Sequence, residues 1–108
     1  MDNVKKLVHF LDEKKALNIK VLDLSSTSSM NSYAIIADAG NPRLLNAIKD
    51  YCVDYAELIG LNLHHVEGNS NSDWLLIDFG SICIHLFLSE SRHYYRLEDR
   101  WLDKLIKL

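Results

Sequence analysis

The stretch from Trp74 to Leu88 constrains this chain most. Trp74 to Asp78 and Ile82 to Leu88 are apolar runs joined by Phe79-Gly80-Ser81, which reads as a hairpin with strands apolar on both faces. The short turn makes the two strands antiparallel. Strands of that kind need cover on both sides, so the rest of the chain has to supply further layers. Alternation also puts His85 on the same face as Cys83 and Phe87, where a partly buried imidazole needs a hydrogen-bond partner.

Candidates for those layers lie on either side. Val4, Leu7, Val8 and Leu11 recur at helical spacing and predict a helix from about residue 3 to 16, with Asp2 or Asn3 as its cap. Ile19 to Leu24 alternates as a strand, Ser25 to Ser32 favours turns, and Tyr33 to Ala37 reads as a second strand. Asn41-Pro42 sets a capping side chain before a first-turn proline, and the period of Leu44, Leu45, Ile48, Cys52, Tyr55, Ala56 and Ile59 carries a second helix to Gly60. Leu61, Leu63 and Val66 suggest a third strand, and Gly68 to Asp73 a polar loop. Ser89 would cap a last helix with Tyr94, Leu97, Trp101, Leu105 and Leu108 along one face. The order helix, two strands, helix, three strands, helix predicts a mixed five-stranded sheet flanked by helices, an α/β or α+β layer fold. A connecting helix implies that the second and third strands pair in parallel. No internal repeat or linker interrupts residues 1–108, so a single domain is expected.

Size and charge narrow the partners. A chain of 108 residues buries only about two-thirds of its unfolded surface, so pairing with another chain would add useful burial. The formal net charge of −3 is unevenly spread: across residues 21–88, Arg43 and Lys49 stand against eight acidic residues. That middle does not encode a phosphate-neutralising surface and suits a basic protein better than bare nucleic acid. Cys52 and Cys83 are far apart and form no paired motif. The N-terminal residues break their apolar positions with charge, and Ile82 to Leu88 is far short of the ~20 residues of a membrane helix. A cytoplasmic protein with reduced thiols and no membrane contact is expected.

Few side chains suggest chemistry. His65 and Glu67 can converge on one face of a strand while His64 points away, and two ligands are too few for a metal. The Ser-rich loop lacks the glycines and lysine of a phosphate cradle. Where a nucleotidyltransferase would carry metal-binding carboxylates, the turn reads Met30-Asn31-Ser32 and supplies no acidic pair. No cofactor, metal or catalytic group is therefore expected. Arg92, Arg96, Arg100 and Lys104 form a basic stripe offset by Glu98, Asp99 and Asp103, so contact with RNA is at most minor. Trp74, just after Asp73 at the mouth of a polar loop, is a core residue or an interface anchor.

The order of several segments is distinctive. They are Ile19 to Ser25 followed by Ser28-Ser29-Met30, then Val66-Glu67-Gly68, Asp73-Trp74, Asp78-Phe79-Gly80, His85-Leu86-Phe87, Arg92, and Tyr95 to Trp101. In order and spacing the chain resembles the ribosomal silencing factor, or Iojap-like, family over nearly its full length. The resemblance implies a nucleotidyltransferase-like shape without catalytic carboxylates and a homodimer when free. It also implies binding to the large ribosomal subunit through its fourteenth ribosomal protein, which blocks joining of the small subunit and represses translation under nutrient limitation. Interface roles carry over to Glu67, Asp73, Trp74, His85, Arg92 and Tyr95. The family usually has Thr-Asp where this chain has Asn31-Ser32, and Gly-Asp where it has Gly80-Ser81, so two acidic groups are missing here. A degenerate nucleotidyltransferase-like enzyme and a homodimeric scaffold with another partner are the alternatives.

Overall fold

A computed structural model describes residues 1–26, 31–92 and 103–106. The chain folds as α1 (Asp2–Glu13), β1 (Leu17–Asp23), β2 (Tyr33–Ala39), α2 (Pro42–Leu58), β3 (His65–Glu67), β4 (Trp74–Asp78), β5 (Ile82–Leu88) and β6 (Leu105–Ile106). Local chemistry accounts for most of these boundaries. Asn41 accepts the Leu44 N–H at 2.8 Å and Pro42 fills the first turn of α2, as expected. By contrast, α1 starts at Met1 with no side-chain cap, so neither Asp2 nor Asn3 serves. It stops early because Lys15 turns left-handed, at φ 70°, and sends the chain into β1.

The sheet is mixed and has six strands in the order β3-β4-β5-β2-β1-β6. The hairpin of β4 and β5 forms as expected, with Trp74 opposite Phe87 and Asp78 opposite Cys83. The expected parallel pairing of the second and third strands is corrected: β2 pairs in parallel with β5, from Tyr33 opposite Ile82 to Ala39 opposite Leu88. The helix fixes only the direction of the strand that follows it. β3 has three residues with polar neighbours and goes to the edge, while β2 and β5 are both seven residues long and apolar on both faces.

The predicted last helix is also corrected at its end. Leu105 and Ile106 form β6, antiparallel to Leu22 and Val21 of β1, which raises the strand count from five to six. Tyr94, Leu97, Trp101 and Leu108 lie outside the described residues.

The two faces of the sheet pack differently. Val4, Leu7 and Leu11 of α1 and Leu45, Ile48, Cys52 and Ala56 of α2 join Ile35, Ala37, Leu75, Ile77, Ile84 and Leu86 in one buried core. Each Leu- or Ile-sized side chain buried there contributes about 1.5–3 kcal/mol. Alternate residues of the same strands make a second cluster on the opposite face, with Leu22, Ala34, Ile36, Cys83 and Phe87 buried and Leu76 packed against them. Both α1 and α2 belong to the first core, and the second cluster lies on the face opposite them.

Candidate functional site

On that second face, strand register lines up the side chains singled out by the sequence. Glu67 stands opposite Leu76, Leu76 opposite His85, and His85 opposite Ile36. One row along, Trp74 stands opposite Phe87, and Phe87 opposite Asp38. Trp74 Nε1–H donates to His85 Nδ1 at 3.1 Å. The indole also stacks on Phe87, with centroids 5.8 Å apart and planes 11° from parallel. The indole is thus held on two sides and is 36% exposed.

Gly68 makes the close packing at this edge feasible. Its φ is +100°, and a Cβ there would come within 2.6 Å of a Leu75 methyl and 2.8 Å of the Trp74 carbonyl. The β3–β4 loop can fold against the start of β4 only with no side chain at that position.

Burial keeps His85 neutral by lowering its pKa to about 4, partly opposed by the Glu67 carboxylate. With Nδ1 accepting from Trp74, the ring proton is assigned to Nε2, which lies 3.7 Å from Cys83 Sγ. Burial, reinforced by Asp78, pushes the Cys83 thiol up to about 12. A protonated thiol beside a neutral imidazole is not an activated nucleophile. His65 Nε2 and Glu67 Oε1 meet at 3.1 Å on the same face, as their alternation requires. Among the described residues no three His, Cys, Asp or Glu side chains are grouped to hold a metal ion.

The other expected site residues have different surroundings. Asp73 directly precedes β4, and its carbonyl accepts the Leu88 N–H at 2.9 Å. Arg92 is buried: its guanidinium is 3.2 Å from Asp38 Oδ2 and also donates to the Asn18 carbonyl. Asp38 further accepts from Asn18 Nδ2 at 3.1 Å and Ser89 Oγ at 2.8 Å, so its buried carboxylate is fully engaged. Tyr95 lies outside the described residues, as do Arg96 and Arg100 of the basic stripe. Sequence reasoning missed Asp38, although a carboxylate inside the apolar run from Tyr33 to Ala39 signals a buried cation partner.

The two places where acidic groups are missing lie side by side. Asn31 Nδ2 donates to Asp78 Oδ1 at 3.3 Å and to the Gly80 carbonyl, and the Ser32 N–H donates to the Ser81 carbonyl at 2.7 Å. The end of the Ser-rich loop is thus tied to the β4–β5 turn.

The family profile described as "Ribosomal silencing factor during starvation" matches residues 1–107. The chain belongs to that family. It is 32% identical over 92 residues to the ribosomal silencing factor of Bacillus subtilis, covering 85% of this chain and 78% of the relative. With the ribosomal silencing factor of Zymomonas mobilis it shares 35% over 91 residues, covering 84% and 68%. A crystal structure from Bacillus halodurans superimposes with a TM-score of 0.85 at 26% identity, covering 99% of this chain and 98% of that one. The family read from the ordered motifs is thus the one found. The mixed α+β layer fold stands too, apart from the strand count. No helix among the described residues of this ribosomal silencing factor homologue is long and apolar enough to cross a membrane.

Proposed function

We propose that this chain binds the large ribosomal subunit through its fourteenth ribosomal protein, on the face of the sheet opposite α1 and α2, and so blocks docking of the small subunit. The observation that carries this reading is the family match across residues 1–107. The geometry supports it: Trp74 is an apolar anchor held by His85 and Phe87, with Glu67 and Asp73 at its border to pair with Arg or Lys of a basic protein. Arg92 acts from inside, holding the chain after β5 against Asp38, and Tyr95 keeps the partner-binding role that the family resemblance implies. The action is steric and needs no turnover. It represses translation under nutrient limitation in the cytoplasm, and the free protein is a homodimer.

Mixing purified small and large subunits at raised Mg²⁺ while following light scattering tests this. Added chain is expected to lower the joined fraction in proportion to the large subunits it occupies. Unchanged joining would contradict the proposal. So would a loss that grows with time at sub-stoichiometric chain, the mark of an enzyme.

A further inference from the structure

We infer that the seam between α2 and the edge strand β3 is a second docking surface, taking an extended segment of a basic protein that turns both apolar residues and Lys or Arg toward α2. Three features meet there. β3 ends the sheet, and no strand pairs with its outer side among the described residues, so alternate backbone N–H and C=O groups face outward. Between β3 and α2 runs a groove with a cavity of 520 Å³ bordered by Val53, Leu63 and Val66. A further 290 Å³ adjoins Val53, Leu61 and Leu63. Leu63 is 45% exposed, an apolar surface left open beside an open strand edge.

Charge selects the occupant. Asp50, Asp54 and Glu57 stand at helical spacing along the α2 rim of the groove. Lys49, the cation among the lining residues, is already bound to Asp50 at 2.8 Å. Asp54 and Glu57 are exposed. A nucleic acid would be repelled by this rim. A strand laid along β3 would form main-chain hydrogen bonds, and of the alternate side chains it turns toward α2, the apolar ones would cover Leu63 and Val66 while the cations reach Asp54 and Glu57. This surface is separate from Trp74, which lies on the other face of the sheet, and the inference does not depend on the ribosomal partner.

The test uses the full chain, isotope-labelled for NMR, and as the probe a short capped peptide with valine and lysine in turn at every second position and threonine between them, so that both kinds of side chain share one strand face. Saturable binding is expected, with slowed amide exchange at His65 to Glu67 and shifts at Val53 and Leu63. Affinity should fall with added salt and drop at least about tenfold in the Asp54→Lys/Glu57→Lys variant. These substitutions are on exposed helix positions and leave the core intact. Trp74→Ala should bind the peptide as the parent does. The inference is overturned if a valine–glutamate peptide binds equally well, if the charge-reversed variant keeps its affinity, or if the shifts fall around Trp74 and spare β3. It is also overturned if β3 amides become protected with rising protein concentration alone, because a second copy then occupies the edge.

Discussion

On the helix-covered face, the strands contribute Ile35, Ala37, Ile77, Ile84 and Leu86, all fully buried and all apolar. On the opposite face, the intervening positions set Asp38, Asp78 and His85 among Ala34, Ile36, Trp74, Leu76, Cys83 and Phe87, so polar groups are mixed into an apolar surface. One backbone presents both sets, since neighbouring strand residues point to opposite sides. The first face needs only volume and apolarity to be filled. The second carries buried groups that need specific partners, namely Asp38 with Arg92 and His85 with Trp74. Stability is shared by the two faces, whereas the proposed ribosomal contact is assigned to the second.

The largest expected effect tests whether the face opposite α1 and α2 also holds the fold together. Asp38→Ala leaves the Arg92 guanidinium buried without its carboxylate and should cost roughly 3–5 kcal/mol in denaturant unfolding. A loss below ~1 kcal/mol would mean that the ion pair is not a structural element of this face. Asp38→Asn, whose one oxygen can still accept from Asn18 while its amide nitrogen donates to Ser89 Oγ, is expected to fall between the two.

Next comes acid. His85 in the unfolded chain takes up a proton near 6.5, whereas in the folded chain it stays neutral down to about 4. The unfolded state therefore binds more protons across that window. Stability is complete above 6.5 and falls as pH drops through it, by about 3 kcal/mol at most. Protonation also turns Nδ1 into a donor and breaks the bond from Trp74, so tryptophan fluorescence should change with a midpoint near about 4. The difference between wild type and His85→Gln isolates this contribution from that of the carboxylates. Equal pH profiles for the two would show that His85 is not the group responsible.

Two smaller effects bear on recognition. Trp74→Ala should weaken binding to large subunits by about 2 kcal/mol or more, roughly thirtyfold, while circular dichroism shows a folded chain. Glu67→Gln, at an exposed position at the border, should cost under ~1 kcal/mol, and less still at high salt. If Glu67→Gln had the larger effect, the anchor would be electrostatic rather than aromatic.

The sequence made some of this legible and hid the rest for physical reasons. The limits of β4 and β5 are readable because their apolar runs stop at Asp78 and Phe79-Gly80-Ser81, and Asn41-Pro42 marks the start of α2 without ambiguity. The neighbour of β2 is not readable, because a helical connection sets direction and leaves open which strand lies alongside. β6 was concealed by Leu105, which fits the helical period of Trp101 and Leu108 as well as it fits a short strand. Within the site, alternation alone put His85 on the face of Cys83 and Phe87. The Trp74–His85 bond depends on the register between β4 and β5, information that no single segment contains. Arg92 reads as one member of a basic stripe, and only the fold brings it to Asp38, 54 positions away.

Co-sedimentation with separated large subunits, small subunits and intact ribosomes tests the central claim most directly, using wild type and Trp74→Ala side by side. Wild type is expected to travel with large subunits alone, and the folded variant to remain at the top of the gradient. Wild type adhering to intact ribosomes without splitting them, or Trp74→Ala pelleting with large subunits as well as wild type does, would contradict the account.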